Sequence, residues 1–373
     1  MLQTTLVYGG LTIILFLFAC IASKRACVVS CQPYSHSTIP FFTGEIILIL
    51  LIFSVVFGMR YDVGVDHLTY LHYYITGLIP DDTEPLFVWI NTCFRNVGIH
   101  YTIYFAMLAF IQLFFILYSI KDERYIFPFL IISLFFGQFF WHWMNGIRQD
   151  IAACIYVFAV KFIAEKKLFK FLIFIIIAIG FHKASIILLP TYLLLSGGRD
   201  LSMNRFWQML LLLIVGYLTI IKFDVLTSFF PIIDIFINVL GYDKYNDSFY
   251  NFEELTTTGI GLYVYMILDA LVIISSVKMK AFYNNKKFII YYNLYYWGMI
   301  AQLFLTNNML LARPVRFFRC FKLLMLAYFL YYLYKNLHIK INIAFFLVSF
   351  MLLTVLFVSL VKNMPFLFFW DAI

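Results

Sequence analysis

Apolar residues fall along this chain in long runs separated by short polar breaks. The runs lie near the ~20 residues that an α-helix needs to cross a hydrocarbon core. They predict an all-α, polytopic membrane protein of about twelve transmembrane helices. The predicted helices cover residues 6–22, 41–59, 102–120, 125–144, 148–164, 168–181, 184–196, 206–222, 259–277, 288–305, 314–334 and 341–360. The sixth and seventh are short, which leaves a tilted or re-entrant path open for them. Two longer polar segments, 60–101 and 223–258, interrupt the series. Within the first, Pro85–Val97 reads as an amphipathic helix suited to an interface. No repeat or low-complexity tract divides the chain, so residues 1–373 read as one transmembrane domain.

Composition reinforces the pattern. The chain is 64% hydrophobic and 12% charged, where a soluble domain carries about 25% charged residues. A globular core cannot absorb that much apolar surface, so lipid must cover it. The net charge of +8 therefore belongs to loops flanking membrane helices and is no sign of a nucleic-acid partner. Cys20, Cys27, Cys31, Cys93, Cys154 and Cys320 lack metal-site spacing and read as ordinary apolar residues. His67 and His72 are badly spaced for a helical metal pair, and no metal or cofactor is expected. The first apolar run has neither a basic leader nor a small-residue cleavage site, so it is expected to be a retained helix.

Loop charge orients the chain. With the N-terminus outside, each cytoplasmic loop is basic: Lys24/Arg25, Lys121/Arg124, Lys166/Lys167, Arg199/Arg205, Lys278/Lys280/Lys286/Lys287 and Lys335/Lys340. Both long polar segments then lie outside. Six arginines break the rule by facing out: Arg60, Arg95, Arg148, Arg313, Arg316 and Arg319. Each one alone is explained by a nearby carboxylate or a lipid headgroup. Together they point to anion binding, because a guanidinium matches phosphate or carboxylate with two hydrogen bonds.

The outward helix starts carry the candidate chemistry. Arg313-Pro314-Val315-Arg316-Phe317-Phe318-Arg319 opens the eleventh predicted helix, with Pro314 suited to its first position. Arg316 and Arg319 fall about one turn apart, beside free N–H groups and the positive end of the helix dipole, an arrangement that suits a pyrophosphate. Arg148-Gln149-Asp150 opens the fifth, where Asp150 either serves the site or merely neutralises Arg148. His182-Lys183-Ala184-Ser185 opens the seventh, and His182 either takes a proton near neutral pH or is an interfacial histidine bonded to a carbonyl. Asp62, Asp66, Tyr70, Tyr73, Tyr74 and Glu84 give the first outer segment the aromatic and carboxylate groups that suit a sugar. The same residues also fit a solvated loop with interfacial tyrosines. Asp269, inside the ninth predicted helix, reads either as an ion or proton site or as a structural hydrogen-bonding group.

Arg60…Gly64-x-Asp66…Tyr70, Glu84-Pro85-x-Phe87, Arg148-Gln149-x-Ile151-Ala152, His182-Lys183-Ala184-Ser185 and the late arginine run, in that order, resemble the EpsG-like branch of the Wzy polysaccharide polymerases. The resemblance spans roughly Arg60 to Arg319. It implies a membrane glycosyltransferase of GT-C-like architecture in the bacterial inner membrane. Such an enzyme moves a growing glycan from undecaprenyl pyrophosphate onto a lipid-linked repeat unit at the outer face, with inversion and without a metal. The implied partners are the two lipid-linked glycans and membrane lipid, together with a chain-length regulator and a flippase. Charge developing on the leaving pyrophosphate would fall to Arg148, Arg313, Arg316 and Arg319. The base would be His182 or Asp66, and Arg60, Tyr70, Glu84 and Gln149 would hold sugar or phosphate.

An O-antigen ligase would share these residues and differ in its product. A flippase or transporter for lipid-linked sugars predicts charge at membrane depth, where only Asp269 stands out in the sequence. An acyltransferase built on His182 leaves the arginines without a purpose.

Overall fold

The computed structural model describes residues 2–30, 40–222, 259–307 and 309–372. Among these the chain is helical apart from connecting turns and one antiparallel bridge between Arg60 and Phe368. In chain order the helices are α1 (Leu2–Ser30), α2 (Gly44–Gly58), α3 (His67–Thr76), α4 (Pro85–Asn96), α5 (Tyr101–Ser119), α6 (Phe127–Phe136), α7 (Phe139–Asn145) and α8 (Ile147–Ala164). There follow α9 (Leu168–Phe181), α10 (Pro190–Leu195), α11 (Arg205–Ile220), α12 (Ile260–Tyr283), α13 (Lys286–Leu305), α14 (Met309–Val315), α15 (Arg319–Lys335) and α16 (Lys340–Asn363). Tighter 3-10 turns at Lys183–Leu188 and Arg316–Phe318 lead from α9 to α10 and from α14 to α15.

Two helices form the centre. Residues Ile151–Val160 of α8 are all buried, and Ala152, Ala153 and Ala159 let α5 and α9 approach closely. The apolar window of α15 is 72% buried, against 28% for that of α16 at the periphery. Leu6, Ile13 and Leu17 of α1, Ile173 and Ile176 of α9, and Leu347, Met351 and Val358 of α16 are exposed. An apolar skirt of that extent is stable only against lipid.

Each predicted apolar run coincides with a helical segment, but length and apolarity qualify fewer of them as spans. Five helices meet both conditions, and six do if α6 and α7, bent by 64° at their junction, form one broken span. The bend splits the predicted helix 125–144 at Gln138, which adopts a left-handed φ of 58° and donates its side-chain amide to the carbonyl of Leu356 on α16. The eleventh predicted helix, 314–334, falls within the apolar span Ala312–Lys335, which is less regular at its start than expected. Pro314 lies inside α14 rather than at a first helical position, and α15 begins only at Arg319. Proline offers no N–H to continue the ladder, so the chain passes through the 3-10 turn Arg316–Phe318 first. The arginine run therefore crosses a tightened 3-10 turn within one apolar stretch, Ala312–Lys335.

The first polar segment is also more ordered than its composition indicates. It contains α4, as the amphipathic pattern predicted, and α3, which the sequence reading left as loop. The second, 223–258, lies outside the described residues. Cys154 and Cys320 meet between α8 and α15 with sulfurs 4.0 Å apart, as buried free thiols.

Candidate active site

Glu84 organises one end of the bundle. It precedes α4 in extended conformation, and Pro85 takes the first helical position, so the turn of the chain is fixed by Pro85's own ring. That turn carries the carboxylate inward, where Glu84 is only 5% exposed. Its Oε2 accepts from Nη1 of Arg148 at 2.5 Å, and its Oε1 lies 3.0 Å from Nδ1 of His182. The backbone N–H of Lys183 donates to the same Oε1 at 3.1 Å. Burial acts to raise the Glu84 carboxyl, but the His182 hydrogen bond, the Arg148 charge and the Lys183 amide together hold it down to about 2. Glu84 is thus a fixed anion. A proton on Nδ1 of His182 serves it best, which leaves Nε2 as the ring's lone-pair nitrogen.

His182 reaches this position because α9 stops at Phe181. The histidine is extended (φ −157°, ψ 111°) and the 3-10 turn starts directly after it. Arg148 stands in the first turn of α8, with its guanidinium 6.0 Å from the Tyr70 ring and 5.6 Å from the Phe87 ring. Gln149 donates to the carbonyl of Arg313 at 2.5 Å, tying α8 to α14.

The loop before α3 completes the wall. Gly64 has a left-handed φ of 102°, and a Cβ there would lie 2.4 Å from Oδ1 of Asn145. Only glycine passes that close while also adopting this backbone. Asn145 in turn accepts from the N–H of Val65 at 2.7 Å, which pins the loop to the α7–α8 junction and sets the start of α3. Asp66 then faces Arg313, Arg316 and Arg148. Burial nevertheless raises its carboxyl above the ordinary value, against the pull of those three charges.

Together these groups line a cavity of about 340 Å³. Asp66, Tyr70, Glu84, Arg148, Gln149, His182, Arg313 and Arg316 all contribute to it, from four widely separated parts of the chain. Nε of Arg316 is buried without an acceptor among the described residues, so this guanidinium retains a donor for a ligand.

Two of the residues singled out from sequence lie elsewhere. Arg60 is 2% exposed, donates to the carbonyls of Phe57 (2.8 Å) and Met144 (3.3 Å), and lies over the Phe105 ring. It locks α2 to α7 beneath the cavity. Arg319 starts α15, and its charge acts on Asp150, His142 and Tyr265 rather than on Asp66. Tyr73 and Lys183, which belong to the sequence motifs, also line the cavity, as do Thr69, Asp82 and Thr83, which sequence reasoning did not select. Thr83 directly precedes the motif residue Glu84, and that adjacency was the available signal.

Asp269 has a partner. Its Oδ2 pairs with Nζ of Lys322 at 2.7 Å, and its Oδ1 accepts from the Tyr295 hydroxyl at 2.8 Å. Lys322 is a second charge at depth that sequence reading passed over.

The EpsG family model matches residues 45–369, most of the chain. No curated protein and no solved structure matches it.

Proposed function

The chain belongs to the EpsG family of Wzy-like polysaccharide polymerases, and we propose that the cavity around Glu84 is where it joins lipid-linked oligosaccharide repeats. The family implies a multi-pass membrane glycosyltransferase acting on lipid-linked sugars. In this reading the lipid is undecaprenyl pyrophosphate and the reaction runs at the outer face of the bacterial inner membrane. The chain crosses the membrane about twelve times, in a GT-C-like arrangement. The long and the broken spans, together with the shorter apolar helices and the polar-fronted α8 and α13, supply those crossings.

The observation that carries the proposal is the Glu84–His182 contact of 3.0 Å in a cavity that also holds Arg313 and Arg316. Transfer needs a base for the attacking hydroxyl and positive charge for the leaving group. His182 takes the proton of the acceptor hydroxyl on Nε2, while Glu84 holds the ring's orientation and stabilises the imidazolium that forms. The acceptor oxygen bonds to C1 of the donor sugar as the bond from C1 to the pyrophosphate oxygen breaks. The pyrophosphate leaves with the electron pair, against Arg313 and Arg316. A single displacement inverts C1 and calls for no metal. Arg148 is already engaged by Glu84, so its role is to keep that carboxylate in place. Asp66, Tyr70 and Gln149 stand where sugar hydroxyls are held, and Asp66 is the alternative base.

The test is in vitro polymerisation of lipid-linked repeats extracted from the native host, by membranes containing the wild type, His182→Ala or Arg316→Ala at matched expression. A ladder of repeats from the wild type that is lost in both variants supports the assignment. A ladder that persists in both removes the site. A single transfer of finished glycan to a lipid core, with no ladder, identifies a ligase.

A further inference from the structure

A second cavity, of about 370 Å³ and with both polar and apolar walls, opens among the outer halves of α12, α13 and α15 and the α6–α7 bend. It shares no lining residue with the first. Its polar walls are Gln138, His142, Tyr265, Gln302, Thr306 and the Asp269–Lys322 pair. That pair is closed at 2.7 Å, and Lys322 also lies 4.4 Å from the Tyr265 ring centre. The lining is therefore neutral overall, unlike the arginine-rich first cavity. Amides, hydroxyls and an aromatic edge without net charge suit the hydroxyls of neutral sugars rather than a pyrophosphate.

The partition between the cavities is thin. His142 lines the second and Gly146 the first, and the two are joined by a single helical hydrogen bond of 2.9 Å, from the N–H of Gly146 to the carbonyl of His142. The charges of Arg316, from the first cavity, and of Arg319 both reach the His142 ring. Nε of Arg319 is buried without a protein acceptor, although its guanidinium lies by Asp150 and Tyr265. A donor thus remains available along the partition.

We propose that this second cavity seats the sugars of the donor glycan lying beyond the one whose C1 reacts. The inference rests on the polymerase reading above. If the donor pyrophosphate sits at Arg313 and Arg316, the glycan attached to it must leave the reaction cavity on some side. The charge of Arg316 reaches the His142 wall, and on the far side of that wall lies a space of similar size without net charge. A polymerase must also hold a long product by more than its reacting sugar, and this cavity supplies that grip without competing for the pyrophosphate.

Gln302 allows a clean test, because its side chain makes no hydrogen bond among the described residues. Gln302→Cys is labelled with an uncharged maleimide, with and without saturating lipid-linked repeats extracted from the host, and compared with the unsubstituted chain. In parallel, Gln302→Trp is assayed for polymerisation of the same repeats. The expected results are labelling slowed at least about fivefold by the repeats, and a KM raised about tenfold in Gln302→Trp with kcat near that of wild type, the signature of lost binding rather than lost chemistry. A wild type that polymerises the repeats while they leave Gln302→Cys labelling unchanged overturns the inference. A fall in kcat alone in Gln302→Trp also overturns it, as the mark of a merely structural position. A wild type that forms no polymer defeats the polymerase reading, and labelling then decides separately: protection keeps the cavity as a glycan site, and no protection removes both. Should Gln302→Trp fail to fold, the cysteine readout stands by itself.

Discussion

The two ends of the bundle both carry many cations, and they use them in opposite ways. At the lysine-rich end the charges close on neighbours in the chain's own fold. Lys287 meets Glu123 at 2.7 Å and the Ser119 carbonyl at 3.1 Å, while Tyr328 and Asn285 occupy the remaining capacity of Glu123. Lys280 meets Asp200 at 2.8 Å, and Arg25 meets Glu45 at 3.1 Å. At the arginine-rich end Arg148 is closed in this way by Glu84, and Arg60 by two backbone carbonyls. Arg316 instead lines a cavity with a buried Nε that has no acceptor among the described residues. The lesson is that saturated charge fixes architecture, and charge held over a cavity is available to a ligand.

The strongest way to break this contrast is to remove Glu84. Glu84→Ala leaves Arg148 without its anion and His182 without its orienting carboxylate. Polymer formation should fall by about 10³-fold, within the range for a general acid–base function, in the host-repeat assay at matched membrane expression. Glu84→Gln should be nearly as damaging, because it keeps the shape and loses the charge. Next comes Arg316→Ala, where loss of one pre-positioned donor should cost about 10²–10³ in kcat, with part of it regained in Arg316→Lys. A loss seen only in KM would mean that Arg316 binds the ground state and leaves the transition state unaided.

The pH dependence sharpens the roles within the cavity. Glu84 is held down to about 2, so the stability it adds is present above the ordinary carboxylate pKa and is lost only as pH falls through about 2. It sets no limb in a pH–rate profile near neutrality. Asp66 is raised by burial, so its contribution to stability is present below the ordinary carboxylate pKa and is lost as pH rises through the raised value. An activity that needs Asp66 ionised therefore falls on the acid side, above the ordinary carboxylate range. Asp66→Asn should remove that limb and lower the rate by about tenfold, short of the range for a full general base. An unchanged acid limb in Asp66→Asn would remove Asp66 as its source.

Changes at the other end should affect folding and leave chemistry intact. Lys287→Met strands the nearly buried Glu123, and should cost about 3–5 kcal/mol of stability with unaltered turnover per folded molecule. The smallest effect should come from Lys280→Ala, whose partner Asp200 is 40% exposed, at no more than about 1 kcal/mol. Thermal unfolding in detergent, read beside specific activity, separates the two ends.

Much of the site could be read from the chain, because its residues cluster at polar breaks between apolar runs. A glutamate before a proline, arginines at the start of a run and a histidine at a helix end are local signals. Which of them converge is not local. Arg60 and Arg148 look alike in sequence, as outward arginines at the ends of apolar runs. Arg60 closes on two backbone carbonyls over the Phe105 ring, and Arg148 reaches Glu84. Nothing in the sequence around either one separates them. The helix α3 was missed because His67–Thr76 is rich in tyrosine and histidine rather than aliphatic residues. Burial of His67, Tyr70, Leu71 and Tyr74 on one face is what makes it a helix.

The sequence by itself determined that the protein lies in lipid, where its helices run and which breaks between them carry polar groups. Those properties depend on composition and short-range periodicity, and a bilayer converts them almost directly into helices. Only the tertiary structure decided that Glu84 joins Arg148 to His182, that Arg313 and Arg316 meet Asp66 at one cavity while Arg319 lies elsewhere, and that Asp269 is neutralised by Lys322. Such pairings depend on distances between residues far apart in the chain, and they are set by how α4, α8, α9, α14 and α15 pack. Packing is a sum over many contacts that no single segment contains.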